Sequence, residues 1–155
     1  MHNQFMAQAI RLSIENVEGG RGGPFGAVVV KDSKIIAEGA NGVTLANDPT
    51  AHAEVLAIRE ACKKLKVFEL KGCELYTSCE PCPMCLGAIY WARVDRVFFG
   101  NLAADAARIN FDDAFIYHEI AQPHPDRKIP MIQMMHEEAL AGFRAWAEKA
   151  DKTPY

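Results

Sequence analysis

Apolar side chains recur at helical spacing through Phe5-Met6, Ala9-Ile10, Leu12-Ser13 and Val17, and the pattern stops at Gly19-Gly20. The period then changes. Phe25-Gly-Ala-Val-Val-Val30 reads as a buried strand, Asp32-Ser33 as a turn and Lys34 to Glu38 as its return, so a hairpin is expected. Asp48-Pro49 has the form of a helix start, with the acid as cap and the proline at the first helical position. That helix runs through Ala53, Leu56, Ala57, Ile58 and Ala61 to about Leu65. A strand over Cys73 to Thr77, a helix over Pro83 to Ala92 and a strand over Arg96 to Gly100 follow. Residues 113–121 are weakly helical, and Pro123-His124-Pro125 marks a hinge. Pro130 to Met135 reads as a last strand, and Glu137 to Lys149 as a final amphipathic helix. Helices alternating with strands imply an α/β sandwich around a sheet that opens with an antiparallel hairpin.

At 155 residues, half of them hydrophobic, the chain can build one core without staples. Seventeen basic against 20 acidic side chains give a net charge of −3, which argues against a chain built mainly to grip nucleic acid. The only dense basic cluster, Lys63-Lys64-Lys66, reads as a solvated helix face. No apolar run reaches the roughly 18 residues of a membrane span, and Met1-His2-Asn3-Gln4 lacks the form of a secretory signal. Of five cysteines, Cys62 and Cys73 stand alone while Cys79, Cys82 and Cys85 crowd together. An odd count with one tight cluster suggests a reducing cytoplasm and a metal, not cross-links.

Two stretches carry chemistry: Thr50-Ala-His-Ala-Glu54 and Cys79-Glu-Pro-Cys-Pro-Met-Cys85. His52, Cys82 and Cys85 offer one imidazole and two thiolates, a donor set suited to zinc. Pro83 opens a helix, which puts Cys82 at its N-terminus, where exposed N–H groups favour a thiolate, and Cys85 one turn later. Three protein ligands leave a position for water, whose pKa on zinc falls to ~7. Glu54 is then the proton carrier. The reading requires His52 and Glu54 to sit in a first turn, because residues two apart on a regular helix diverge. Cys79, Cys82 and Cys85 also follow an iron–sulfur spacing, but Ile89 and Tyr90 stand where its further cysteine and proline belong. A redox pair at Cys82 and Cys85 leaves His-x-Glu without a purpose.

His52-Ala-Glu54 with Pro81-Cys-Pro-Met-Cys85 matches the zinc-deaminase signature H-x-E followed by P-C-x-x-C. The chain resembles the cytidine deaminase-like superfamily, and within it the bacterial enzymes that deaminate guanine. The closer likeness lies in Gly23-Pro-Phe-Gly-Ala-Val28, in Asn47 to Val55, in Tyr76 to Arg93, in Phe111-Asp-Asp113 with Phe115-Ile-Tyr117, and in the terminal Tyr155. The resemblance implies a single deaminase domain over residues 1–155, a three-layer α-β-α sandwich on a five-stranded mixed sheet. It further implies one catalytic zinc per subunit with a bound water, and hydrolysis of guanine to xanthine and ammonia. Glu54 and Asp113 would be catalytic, with Asp113 assisting the departing amine. Asn41, Phe25, Ala53 and Tyr155 would bind substrate. A homodimer is implied in which residues from about 123 to 155 exchange between subunits, with Tyr155 serving a neighbour's pocket.

The same residues have plainer uses. Asn41 precedes Gly42 and forms a common turn pair, Phe25 heads an apolar strand, and Asp112 or Asp113 can cap a helix. The run Gly19-Gly-Arg-Gly-Gly23 precedes a strand and lacks the ending of a phosphate loop. Deamination of adenosine or cytosine in tRNA would use the same signature but needs a basic track for phosphates. A non-catalytic zinc module would need a fourth ligand, for which Cys79, Cys73, His118 or His136 are candidates.

Overall fold

The structure, a computed structural model, describes residues 2–155 and divides into two compact units, one ending at residue 114 and the other spanning 115–155. The first begins with helix α1 (His2–Glu18), followed by strands β1 (Gly26–Lys31) and β2 (Lys34–Ala40). Asp32 and Ser33 both have positive φ, 49° and 58°, the two-residue turn whose twist matches a hairpin. After the short helix α2 (Val43–Ala46) come α3 (Ala53–Leu65), β3 (Cys73–Cys79), α4 (Pro83–Ala92), β4 (Arg96–Asn101) and the short α5 (Ala103–Ala107). The sheet order is β2-β1-β3-β4. β1 runs antiparallel to both neighbours, while β3 and β4 are parallel, so the sheet is mixed.

Alternation along β1 assigns its two faces. Ala27 and Val29 pack with Ala53, Ala57, Ile58 and Ala61 of α3 and Ile89 of α4, whereas Val28 and Val30 pack with Phe5 and Ala9 of α1. The result is the expected three layers, α1 on one face and α3 with α4 on the other. Ala53, Ala57 and Ala61 are fully buried and recur every four residues, so α3 presents a row of methyl groups to the sheet. Gly39 of β2 lies against that row: a Cβ there would sit 2.2 Å from the Ala53 carbonyl oxygen. This close packing holds the start of α3 in place. No helix among the described residues is long and apolar enough to cross a membrane.

Two sequence expectations fail. The sheet has four strands, not five, because Pro130–Met135 is irregular. A strand exists only through its ladder; this segment has strand-like composition but pairs with no strand among the described residues, and Pro130 lacks a donor. The helix expected from Asp48 begins instead at Ala53. Asp48 Oδ1 accepts from the Thr50 N–H (2.8 Å) and hydroxyl (2.7 Å), closing a local turn before the helix. Residues 115–155 hold most of α6 (Ala114–Ala121), a 3₁₀ turn at His124–Asp126 and α7 (His136–Glu148), and none of their side chains is buried.

Candidate active site

Two helix starts supply the central side chains. His52 precedes α3 in an extended conformation (φ −74°, ψ 153°), and its carbonyl accepts the first helical N–H, from Leu56, at 3.0 Å. Cys82 stands in the same relation to α4 (φ −66°, ψ 167°), its carbonyl accepting from Leu86 at 2.8 Å, with Pro83 at the first helical position. Cys85 follows one turn on and is fully buried. Because His52 lies outside the helix and only Glu54 lies inside it, the two need not diverge as they would on a regular helix. Both can face one point.

His52 Nδ1 lies 3.5 Å from the Sγ of Cys82 and 3.5 Å from that of Cys85, and the three donor atoms fall within 4.8 Å of one another. A tetrahedral zinc with bonds of ~2.3 Å to sulfur and ~2.05 Å to nitrogen would set the N···S edge at ~3.6 Å. The donor set and its spacing fit that ion. Among the described residues no fourth His, Cys, Asp or Glu joins the cluster. The Cys79 thiol donates instead to the Leu102 carbonyl at 3.8 Å, and burial pushes its pKa up to about 11. Cys73 is buried in the sheet core, and within the 115–155 unit His118 bonds Gln122 and His136 pairs with Glu137.

The three donors are electrostatically coupled. Bonding from Cys85 and His52 holds the Cys82 thiol down to about 4, and the Cys82 sulfur raises His52 in return. Cys85 is driven strongly up by its bond to Cys82 and by burial, and donates to Glu54 Oε2 at 3.4 Å. Glu54 is 6% exposed, and burial raises its carboxyl above the usual range. A raised carboxyl holds a proton more readily, as a proton carrier must.

A cavity of about 430 Å³ opens over the cluster, within the roughly 300–1,000 Å³ of small-molecule sites. Phe25, Asn41, His52, Glu54, Cys82 and Asp113 all line it, so most of the residues singled out from the sequence share one wall-to-wall space. Phe25 meets Phe111 edge-on, with centroids 5.0 Å apart and planes at 88°. Asp112 also lines the cavity, but its Oδ1 accepts the Ala114 N–H at 2.9 Å. Asp113 is half-buried, and burial followed by the nearby Cys82 charge raises its carboxyl. Ala53 is fully buried and is not among the lining residues, while Tyr155 is an exposed residue of the second unit.

Several residues of the site do not stand out in the sequence. Glu80 Oε2 accepts the Ala103 N–H at 3.0 Å, tying the loop before α4 to the start of α5. Asn16 of α1, 2% exposed, holds the loop around Gly23 and Asn41. A signal for it exists: Phe5, Ala9, Ser13 and Asn16 share one buried helical face, where a polar pair calls for partners. No lysine or arginine lines the cavity, whereas Glu54, Glu80, Asp112 and Asp113 do.

Residues 1–101 match the family model for the cytidine and deoxycytidylate deaminase zinc-binding region. The chain is 57% identical over 154 residues to guanine deaminase of Bacillus subtilis, covering 99% of both chains. The X-ray structure of that protein superposes with a TM-score of 0.98 over 100% of this chain and 99% of its own. A guanine deaminase from Nitrosomonas europaea superposes at 0.66 with 36% identity, covering 70% of this chain and 63% of its own. The tRNA-specific adenosine deaminase of Agrobacterium fabrum is 47% identical over 120 residues, 77% of this chain and 79% of that protein.

Proposed function

The chain belongs to the cytidine and deoxycytidylate deaminase zinc-binding family, and on that premise we propose that it hydrolyses free guanine to xanthine and ammonia. The observation that carries this is a buried carboxylate, Glu54, set beside three zinc-type donors, with Glu54, His52 and Cys82 lining a cavity sized for a small molecule. Zinc held by His52, Cys82 and Cys85 would supply Lewis acidity, lowering the pKa of water at its open position from 15.7 to ~7. Glu54 takes a proton from the attacking water and delivers it to a ring nitrogen of the base. The water oxygen bonds C2; Glu54 then takes the remaining hydroxyl proton and passes it to the amine, and as the C2=O bond forms the C2–N bond breaks and ammonia leaves. Asp113, half-buried and partly shielded, assists at the amine. Asn41 bonds the ring edge, and Phe25 with Phe111 walls its face. For Ala53 the role is confined to its backbone, since its side chain packs against the sheet.

The tRNA-deaminating relatives share the metal donors, and the cavity separates the two readings. A polynucleotide brings phosphates along with its base, and the residues lining this cavity include Glu80, Asp112 and Asp113 and no basic side chain. A neutral free base suffers no such repulsion. We further propose a cytoplasmic homodimer. None of the five cysteines is paired in a disulfide, in keeping with a reducing compartment. Ile129, Ile132, Met134 and Phe143 of the 115–155 unit are each at least 75% exposed, an apolar burden that exchange of residues from about 123 to 155 between two copies would cover. In that arrangement Tyr155 of one copy serves the pocket of the other.

The test is ammonia release by purified, zinc-loaded protein with guanine, guanosine, adenine, cytosine, cytidine and ammeline. Guanine is expected to be the preferred substrate; turnover of the nucleosides alone would overturn the assignment. Glu54→Gln should keep its zinc and lose at least ~10²-fold in kcat. Undiminished turnover would remove Glu54 from the mechanism.

A further inference from the structure

The cavity wall that contains Asn41 is held from behind by a second amide. Asn16 of α1 donates through Nδ2 to two carbonyl oxygens, those of Gly23 and Asn41, both at 2.9 Å. A primary amide nitrogen carries two hydrogens, so its donor capacity is fully used on these two loops. The loops touch each other as well: a Cβ on Gly22 would fall 2.4 Å from the Asn41 carbonyl oxygen. Asn41 Oδ1 in turn faces the backbone N–H groups of Gly23 (3.3 Å) and Val43 (3.4 Å). Backbone N–H groups only donate, so the amide oxygen must be the end turned toward them. Asn41 is 7% exposed and lines the cavity, so with its oxygen turned to the two loops the Nδ2 end is the one left to face that space.

We propose that Asn16 is a positioning residue for ligand recognition: by clamping the Gly23 and Asn41 backbones it locks the Asn41 amide with its oxygen inward and its NH₂ toward the cavity. The cavity therefore offers a donor at this point and selects a ring with a lone pair there, a carbonyl oxygen or an unprotonated ring nitrogen. The inference rests on the guanine reading for its substrate, since guanine carries both kinds of acceptor. It does not rest on that reading for its geometry. Asn16 touches no substrate; it acts through Asn41. Its loss would let the amide turn over and present an oxygen to another oxygen.

The experiment is a double-mutant cycle in the zinc-loaded full chain, paired with an NMR readout that needs no substrate. Asn16→Asp keeps the size of the side chain and removes its donors. It should raise KM for guanine by ~10-fold or more with kcat nearly unchanged, the mark of lost uniform binding. Asn41→Ala should do the same, and the double variant should be no worse than Asn41→Ala alone, because neighbours acting through one contact are not additive. Additive effects on KM, or a loss confined to kcat, would overturn the inference. In ¹⁵N-labelled protein the Asn41 side-chain NH₂ resonances should shift or broaden in Asn16→Asp; resonances matching wild type would also overturn it. Should Asn16→Asp fail to fold, Asn16→Ser retains one donor and takes both readouts. Zinc-loaded wild type that leaves guanine untouched removes the substrate reading, and the NMR arm then decides the clamp by itself.

Discussion

Replacing Gly39 by alanine tests whether sheet packing sets the metal geometry. The new Cβ would lie 2.2 Å from the Ala53 carbonyl oxygen and 2.7 Å from the Ala57 nitrogen, where ordinary contact begins at 3.4 Å. Both obstacles are helix backbone, so no side chain can rotate away. Relief requires the start of α3 to withdraw from β2 by about 1.2 Å, and His52 and Glu54 ride on that turn. Their partners Cys82 and Cys85 belong to α4 and stay behind. The His52 Nδ1 to sulfur distances, now 3.5 Å, would leave the tolerance of ~0.2 Å per bond that a zinc site allows.

Overpacking of this kind costs ~1–3 kcal/mol of stability, and a 1 Å displacement of a catalytic group costs ~10²-fold in rate. Gly39→Ala should therefore lower the melting temperature, weaken zinc at least ~10-fold in a chelator competition, and reduce kcat by about two orders of magnitude. Gly87→Ala is the control: it sits in the helix that carries Cys85, a Cβ there meets nothing within 4 Å, and helix propensity adds ~0.8 kcal/mol. Wild-type zinc affinity in a destabilised Gly39→Ala would mean that β2 yields instead of α3, and would refute the coupling between sheet and site.

Loading zinc at neutral pH should release about two protons, one from the Cys85 thiol and one shared by Cys82 and His52, so affinity falls as pH is lowered. Calorimetry in buffers of different ionisation enthalpy measures the number, and a value near zero would contradict the protonation pattern. Cys82→Ala should lose metal and melt at a temperature that no longer responds to added zinc, because bound metal stabilises only the folded site. Removing Asp151 to Tyr155 should impair turnover far more than zinc content. Mixing that truncation with Glu54→Gln should restore about a quarter of wild-type turnover if tails serve the opposite pocket, since half of randomly formed dimers are mixed and each holds one complete site. No recovery in a mixture shown to exchange subunits would sink the exchange.

Where the sequence was legible, the determinant was local. The start of α4 could be read directly, because Pro83 fixes the first turn. The metal donors were legible for a related reason: two of the three lie one turn apart, and the third stands in a short signature with Glu54. Asp48 misled because its carboxylate satisfies N–H groups two residues on in a turn as readily as it caps a helix, and the residues alone do not say which. Pro130–Met135 misled because composition fixes strand propensity but not the partner strand. Asn16 escaped notice because its role exists only between segments seven and 25 residues away along the chain.

One feature ties local grammar to chemistry. Helix starts ordinarily hold Ser, Thr, Asp or Asn, whose oxygens satisfy the free N–H groups of the first turn. Here the two capping positions that matter hold His52 and Cys82, and neither helix has an oxygen cap; the Cys82 sulfur bonds Cys85 of the first turn instead. The helices forgo an oxygen cap, worth ~1 kcal/mol each, and keep their N-terminal partial charges directed at the cluster. Those charges favour anionic sulfur and a buried carboxylate at the same point, in line with a Cys82 thiol held down to about 4. Each ligand's own carbonyl meanwhile starts its helix ladder, so the donor atom is tied to a rigid element without being part of it. A geometry tight enough for zinc and open enough for a substrate follows from that arrangement, because the donor side chains stand at the helix ends while their backbone is tied into the ladder.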